Sequence, residues 1–181
     1  MQPREGRRTI NNPFPPSKVT PFQELFGFVG TTNNNAYLTV PTAVEFRKSI
    51  CGGEDKIIDY QINLAKTAGD KAAQILGTEV MDNKSGTARQ CAFANIRLPL
   101  EYGDGPGEIQ ITHLSKVKQF IEEISAKSNT FFPLIWYNEA YWWRLSATIM
   151  LEEADVIWGA KKMSELCDRV RKGEYSDESS R

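Results

Sequence analysis

The run Phe131-Phe132-Pro133-Leu134-Ile135-Trp136-Tyr137-Asn138-Glu139-Ala140-Tyr141-Trp142-Trp143-Arg144-Leu145-Ser146-Ala147-Thr148-Ile149 decides the fold. Two apolar, aromatic segments, residues 131–137 and 141–149, flank the polar pair Asn138-Glu139. Strand formers on both sides of so short a polar break read as a β-hairpin. A hairpin implies an antiparallel sheet, and residues 90–100 offer it a further strand, with Phe93, Ile96 and Leu98 inside the run and Pro99 closing it.

Outward from the hairpin the periodicity becomes helical. In residues 54–76, Ile57, Ile58, Ile62, Ala65, Ala68, Ala72, Ile75 and Leu76 recur at three- and four-residue spacing, and Gly77 stands as the stop. Leu114, Val117, Phe120, Ile121 and Ile124 draw a second stripe, with Thr112 as its candidate cap. Ile157, Met163, Leu166, Cys167 and Val170 draw a third over residues 153–172, where acids open the helix, bases close it and Gly173 ends it. A further helix is expected over residues 37–49, with Pro41 in its first turn and Gly52-Gly53 behind it. The order helix, helix, strand, helix, strand, strand, helix predicts an α+β domain, a small antiparallel sheet packed against helices. Residues 1–20 read as an irregular, proline-rich linker and residues 174–181 as a disordered polar tail.

Composition narrows the function classes. A chain of 181 residues that is 40% hydrophobic and 25% charged is an ordinary soluble domain with room for a core. Its formal charge of -1 gives no field to draw it to nucleic acid or to acidic membranes. No apolar run approaches the roughly 18–20 residues of a membrane helix. No apolar stretch follows Arg4, Arg7 and Arg8 to make a secretory signal. Cys51, Cys91 and Cys167 are scattered and odd in number, and His113 is the single histidine, so no zinc set of the usual composition is expected. Unpaired thiols suit a reducing, cytoplasmic setting.

Three features could carry chemistry. The turn Val29-Gly30-Thr31-Thr32-Asn33 precedes a helix, and glycine, hydroxyls and a helix N-terminus together suit an anion; a plain capped turn explains it as well. Arg144 interrupts the apolar run Trp142-Trp143-Arg144-Leu145, where its fork needs a carboxylate, a phosphate or solvent, and strand alternation allows it to face solvent. His113 sits at a predicted helix start with no nucleophile motif beside it and reads as a surface or capping residue. The aromatic density of residues 131–143 reads as core and dimer contact, since no basic surround accompanies it.

Beyond these local readings, three runs occur in a telling order: Phe26-Gly27-Phe28-Val29-Gly30-Thr31, Tyr37-Leu38-Thr39-Val40-Pro41-Thr42-Ala43-Val44-Glu45-Phe46-Arg47, and Trp142-Trp143-Arg144-Leu145-Ser146-Ala147. Together they resemble the C-terminal third to two-fifths of class V aminotransferase-type pyridoxal-phosphate (PLP) enzymes. Among these the similarity is to the fungal isopenicillin-N-epimerase-like group, which includes hercynylcysteine sulfoxide lyases. The resemblance implies the small C-terminal domain of fold type I over residues 54–173. Residues 21–53 would be a remnant of the large domain that carries the Gly-Thr loop. It further implies a homodimer in which Gly30 and Thr31 reach the cofactor phosphate of the neighbouring subunit, and an amino-acid substrate whose α-carboxylate is gripped by Arg144.

The chain departs from that family where it matters most. No His-Lys pair exists to supply the Schiff-base lysine, and the large-domain strands, the aspartate facing the pyridine nitrogen and the ring-stacking residue are absent. No catalytic residue is therefore assigned, and no metal ligand. No cysteine matches a sulfur-accepting loop, which favours a C–S lyase, epimerase or transferase over a desulfurase. The expectation is a truncated, catalytically inactive portion whose full-length relative binds PLP. The alternatives are a non-catalytic interaction module pairing with an intact paralogue and an unrelated α+β binding domain.

Overall fold

The computed structural model describes Thr20 and residues 35–176, and the chain separates into two compact units, Met1–Glu45 and Phe46–Arg181. In the first, helix α1 (Asn35–Leu38) is followed at Val40 by the start of α2 (Val40–Ser49). The sequence predicts a single helix here. Pro41 has no N–H to offer the carbonyl one turn back, so the chain breaks at Thr39, whose Oγ1 donates to the Ala36 carbonyl at 2.8 Å.

The second unit is an α+β layer. Helix α3 (Glu54–Leu76) ends as the sequence predicts: Gly77 takes φ 66°, its N–H reaches the Gln74 carbonyl, and the Thr78 N–H reaches the Ala73 carbonyl at 2.9 Å. Its buried face is Ile57, Leu64, Ala65, Ala68, Gly69, Ala72, Ala73 and Leu76. Ile58, expected on that face, is exposed, because the small residues, rather than the isoleucines, set which side can approach the sheet. A Cβ on Gly69 would lie 3.0 Å from the Ala94 Cβ, so helix and strand meet here almost backbone to backbone.

Strands β1 (Phe93–Arg97), β2 (Leu134–Tyr137) and β3 (Ala140–Ser146) form an antiparallel sheet in the order β1-β3-β2. The hairpin turn is the two residues Asn138 and Glu139, both at positive φ (48° and 56°), the primed geometry that matches strand twist. The register sets Asn95 opposite Arg144 and Leu134 opposite Trp143. Along β3, Tyr141, Trp143 and Leu145 face the helices and are buried, while Arg144 and Ser146 face away and are exposed, as alternation predicts. Met81 and Glu79 cover the outer edge of β1 through Met81 N–H to Asn95 O (2.8 Å) and Arg97 N–H to Glu79 O (2.9 Å).

Helix α4 (Leu114–Lys127) buries Val117, Phe120, Ile121 and Ser125, and helix α5 (Glu153–Arg171) buries Val156, Gly159, Ala160, Met163, Leu166, Cys167 and Val170. Thr112 does not cap α4. A 3-10 turn over Ile111–His113 leads into the helix, and Thr112 Oγ1 bonds instead to Gln110 Oε1 at 3.4 Å. Glu174 to Ser176, placed in a disordered tail by the sequence reading, are ordered, and the rest of that tail lies outside the described residues. Glu174–Ser176 form a 3-10 turn, and Tyr175 is buried with its hydroxyl 3.2 Å from His113 Nδ1. One aromatic side chain anchors a segment whose composition looks solvated. No helix among the described residues is long and apolar enough to cross a membrane.

Candidate functional site

The concave feature that gathers chemistry lies where the hairpin meets the start of α5. A cavity of about 470 Å³ is lined by residues 130–133 ahead of β2, residues 143–146 of β3, Met150 and Leu151, and Asp155, Val156, Trp158 and Gly159 of α5. Its floor exists because Gly159 has no side chain: a Cβ there would stand 3.3 Å from Phe132 Cε1 and 3.4 Å from Trp143 Cη2. Phe132 and Trp143 meet edge to face, with centroids 5.3 Å apart, so the floor is rigid and apolar.

Arg144 stands in this wall. Its Nε donates to Asn95 Oδ1 at 3.3 Å across the β1–β3 register, and its guanidinium lies 4.8 Å from the centroid of the Phe93 ring. Two residues of one neighbouring strand thus orient the fork from beneath. No carboxylate among the described residues lies within ion-pairing distance of it. An oriented guanidinium with unspent donors on a pocket wall is suited to a carboxylate or phosphate.

Asp155 is the pocket residue that sequence reading passes over. It appears there only as one of the acids opening a helix, and its Oδ2 does accept the Glu152 N–H at 2.8 Å. Pocket membership is a tertiary fact with no one-dimensional signal. His113 is placed elsewhere: read from the sequence as a surface or capping residue, it is half-buried, makes no side-chain cap bond to α4, does not line this cavity and has its Nδ1 3.2 Å from the Tyr175 hydroxyl. Gly30 and Thr31 lie outside the described residues. Among the described residues no group of three or more His, Cys, Asp or Glu could hold a metal.

PLP can be tested against this geometry. No lysine among the described residues lines the cavity, so the lining offers no amine to condense with an aldehyde. The group does not fit this pocket on this chain's own side chains.

No protein-family model matches the chain. Two L-cysteine desulfhydrase-like proteins of Epichloe uncinata are each 30% identical to it, over 87% and 82% of this chain and 37% and 36% of their own length. The hercynylcysteine sulfoxide lyase of Schizosaccharomyces pombe is 30% identical over 72% of this chain and 29% of its own length. The chain therefore spans about a third of the length of the curated relatives it matches.

Proposed function

Given a chain homologous to part of the class V aminotransferase-type, PLP-dependent enzymes, we propose that it is the carboxylate-binding small domain of such an enzyme, acting on an amino-acid substrate. The observation that carries this reading is Arg144, oriented by Asn95 and Phe93 on a pocket wall and left without a carboxylate partner among the described residues. In this reading Arg144 takes the substrate α-carboxylate, Gly30 and Thr31 take the cofactor phosphate of a neighbouring subunit, and the reaction is a lyase, epimerase or transferase step in the cytoplasm. Residues 21–53 belong to the large domain. The missing His-Lys pair makes this chain inactive by itself, with PLP bound only when the remainder of the fold is supplied.

The test is an absorption spectrum of the purified chain after incubation with PLP, then borohydride reduction and intact mass. The reading expects no specific aldimine band and only diffuse labelling. A single lysine fixed by reduction would overturn it.

A second reading, a non-catalytic module pairing with an intact paralogue, is favoured by the apolar side chains left exposed at the pocket rim, Phe131 (64%), Met150 (86%) and Trp158 (46%). Solution size separates the two: a discrete dimer, or a complex with the paralogue, supports pairing.

A further inference from the structure

Arg144 is held by a side chain that does not cancel its charge. Its Nε donates to Asn95 Oδ1 at 3.3 Å, and among the described residues no bond is made by either terminal NH2 group. Asn95 is itself fixed from behind. Its backbone carbonyl accepts the Met81 N–H at 2.8 Å, and its Nδ2 lies 3.9 Å from Met81 Sδ. A guanidinium can only donate and a thioether can only accept, so both neighbours turn the same end of the amide towards Arg144. Asn95 is half-buried, which limits competition from water for either end. Phe93, two residues earlier and so on the same face of β1, sets its ring centroid 4.8 Å from the guanidinium carbon.

The choice of an amide here has two consequences. An aspartate at position 95 would accept the same Nε–H and hold the fork more strongly, but it would also neutralise it. Asparagine gives direction without charge. It also decides which edge of the fork is free. A guanidinium can meet a carboxylate along its side, through Nε and one terminal nitrogen, or across its tip, through both terminal nitrogens. With Nε spent on Asn95, the tip is the edge that remains.

We propose that Asn95 is a positioning residue which, with Met81 behind it, presents the tip of Arg144 to a carboxylate with its charge undiminished. The proposal rests on the reading of Arg144 as the carboxylate site and deepens it: the ligand is taken across both terminal nitrogens, and the site requires a neutral acceptor at position 95.

The test titrates the full chain with hexanoate and follows the Arg144 Nε–Hε signal by NMR, in the native chain, Asn95→Leu and Asn95→Asp. In the native chain that group should relax as a rigid one, hexanoate should shift it, and Arg144→Met should abolish the binding. Asn95→Leu removes the acceptor, so Nε–Hε should become mobile and binding weaken roughly two- to tenfold, the cost of ordering one free side chain. Asn95→Asp keeps the acceptor and adds charge. Nε–Hε should then stay rigid while binding weakens roughly fivefold, the upper end of an exposed ion pair that the ligand must displace. Rigidity kept with affinity lost is a split that a residue merely supporting the fold does not produce. A mobile Nε–Hε in the native chain, or variants at position 95 that bind hexanoate as the native chain does, overturns the positioning role alone. No binding by the native chain, or binding that survives Arg144→Met, overturns the Arg144 reading and this proposal with it.

Discussion

Glu139 is the residue at which the hairpin is strained, and Glu139→Gly should make the protein more stable. Both turn residues sit in the left-handed region, at φ 48° for Asn138 and 56° for Glu139. Asparagine tolerates that region, whereas for most L residues it costs about 1–2 kcal/mol. Glutamate has no short polar group to offset the clash of its Cβ with the following carbonyl, and its side chain is exposed. Glycine removes the clash but adds freedom to the unfolded chain, worth about 0.4–1 kcal/mol. The difference is a net gain of about 0.5–1 kcal/mol, which at this chain length raises the midpoint of thermal unfolding by about 1–4 °C. Urea unfolding followed by tryptophan fluorescence gives the free energy directly. Glu139→Ala is the control: it removes the charge and keeps the Cβ, so it should stay within about 0.3 kcal/mol of the native chain. If alanine stabilises as much as glycine, the gain is electrostatic and the conformational argument fails. If glycine destabilises, the turn geometry itself is refuted.

Gly159→Ala should lose up to about 2 kcal/mol in urea unfolding: alanine's helix advantage of about 1 kcal/mol is outweighed by crowding Phe132 and Trp143, contacts of 3.3 and 3.4 Å in a packed floor. Ellman's reagent should label Cys51 and Cys91, both half-buried, quickly in the native chain and Cys167 only on unfolding. Burial pushes the Cys167 thiol from its ordinary 9.0 up to about 12, so the neutral thiol's contribution is complete below pH 9 and is lost as pH rises towards 12. Stability measured across that window should therefore fall with a slope that Cys167→Ala reduces by about 1.4 kcal/mol per pH unit, while the buried Tyr102 and Tyr141 hydroxyls, also pushed up by burial, keep their share. Arg144→Met should change stability by less than about 0.5 kcal/mol, because its contacts are one long hydrogen bond and a ring face; a larger loss in thermal unfolding would mark Arg144 as structural.

What was legible in the sequence was what depends on period and punctuation. The hairpin, its two-residue turn, the helix stops at Gly77 and Gly173 and the alternation that turns Arg144 away from the core are all local, and all are found. The α+β class follows from their order. Less legible were features decided across the fold. Which face of α3 is buried depends on how closely Gly69 can approach Ala94, which no count of isoleucines reveals. Tyr175 belongs to the core because His113 waits for its hydroxyl 62 positions away. Asp155 reads as a helix-opening acid until the strand ends at Ser146 and the chain returns past it. The resemblance to PLP enzymes implies a role for Arg144 that periodicity could not; the structure adds that its guanidinium is held by Asn95 and Phe93, with no carboxylate partner among the described residues.

The link between turn and site is tighter than proximity. Strand period is two, so a slip of one residue in the β2–β3 register would move Arg144 to the helix side and Trp143 to the outer face. The core forbids that, since Tyr141, Trp143 and Leu145 are buried together against the helices and an unpaired guanidinium in their place would be costly. The two-residue primed turn forbids it a second time by fixing which residues pair, Tyr137 with Ala140 and Leu134 with Trp143. The same register then brings Asn95 under Arg144 from β1. If Arg144 is the carboxylate grip proposed above, its position is thereby set by packing and turn geometry before any ligand is present. A site of this kind should bind its carboxylate weakly but without rearrangement. Titration of Arg144 by hexanoate should accordingly shift the signals of Arg144, Asn95 and Phe93 and leave those of α4 in place; shifts spreading through α4 would mean that the grip is assembled by the ligand rather than by the fold.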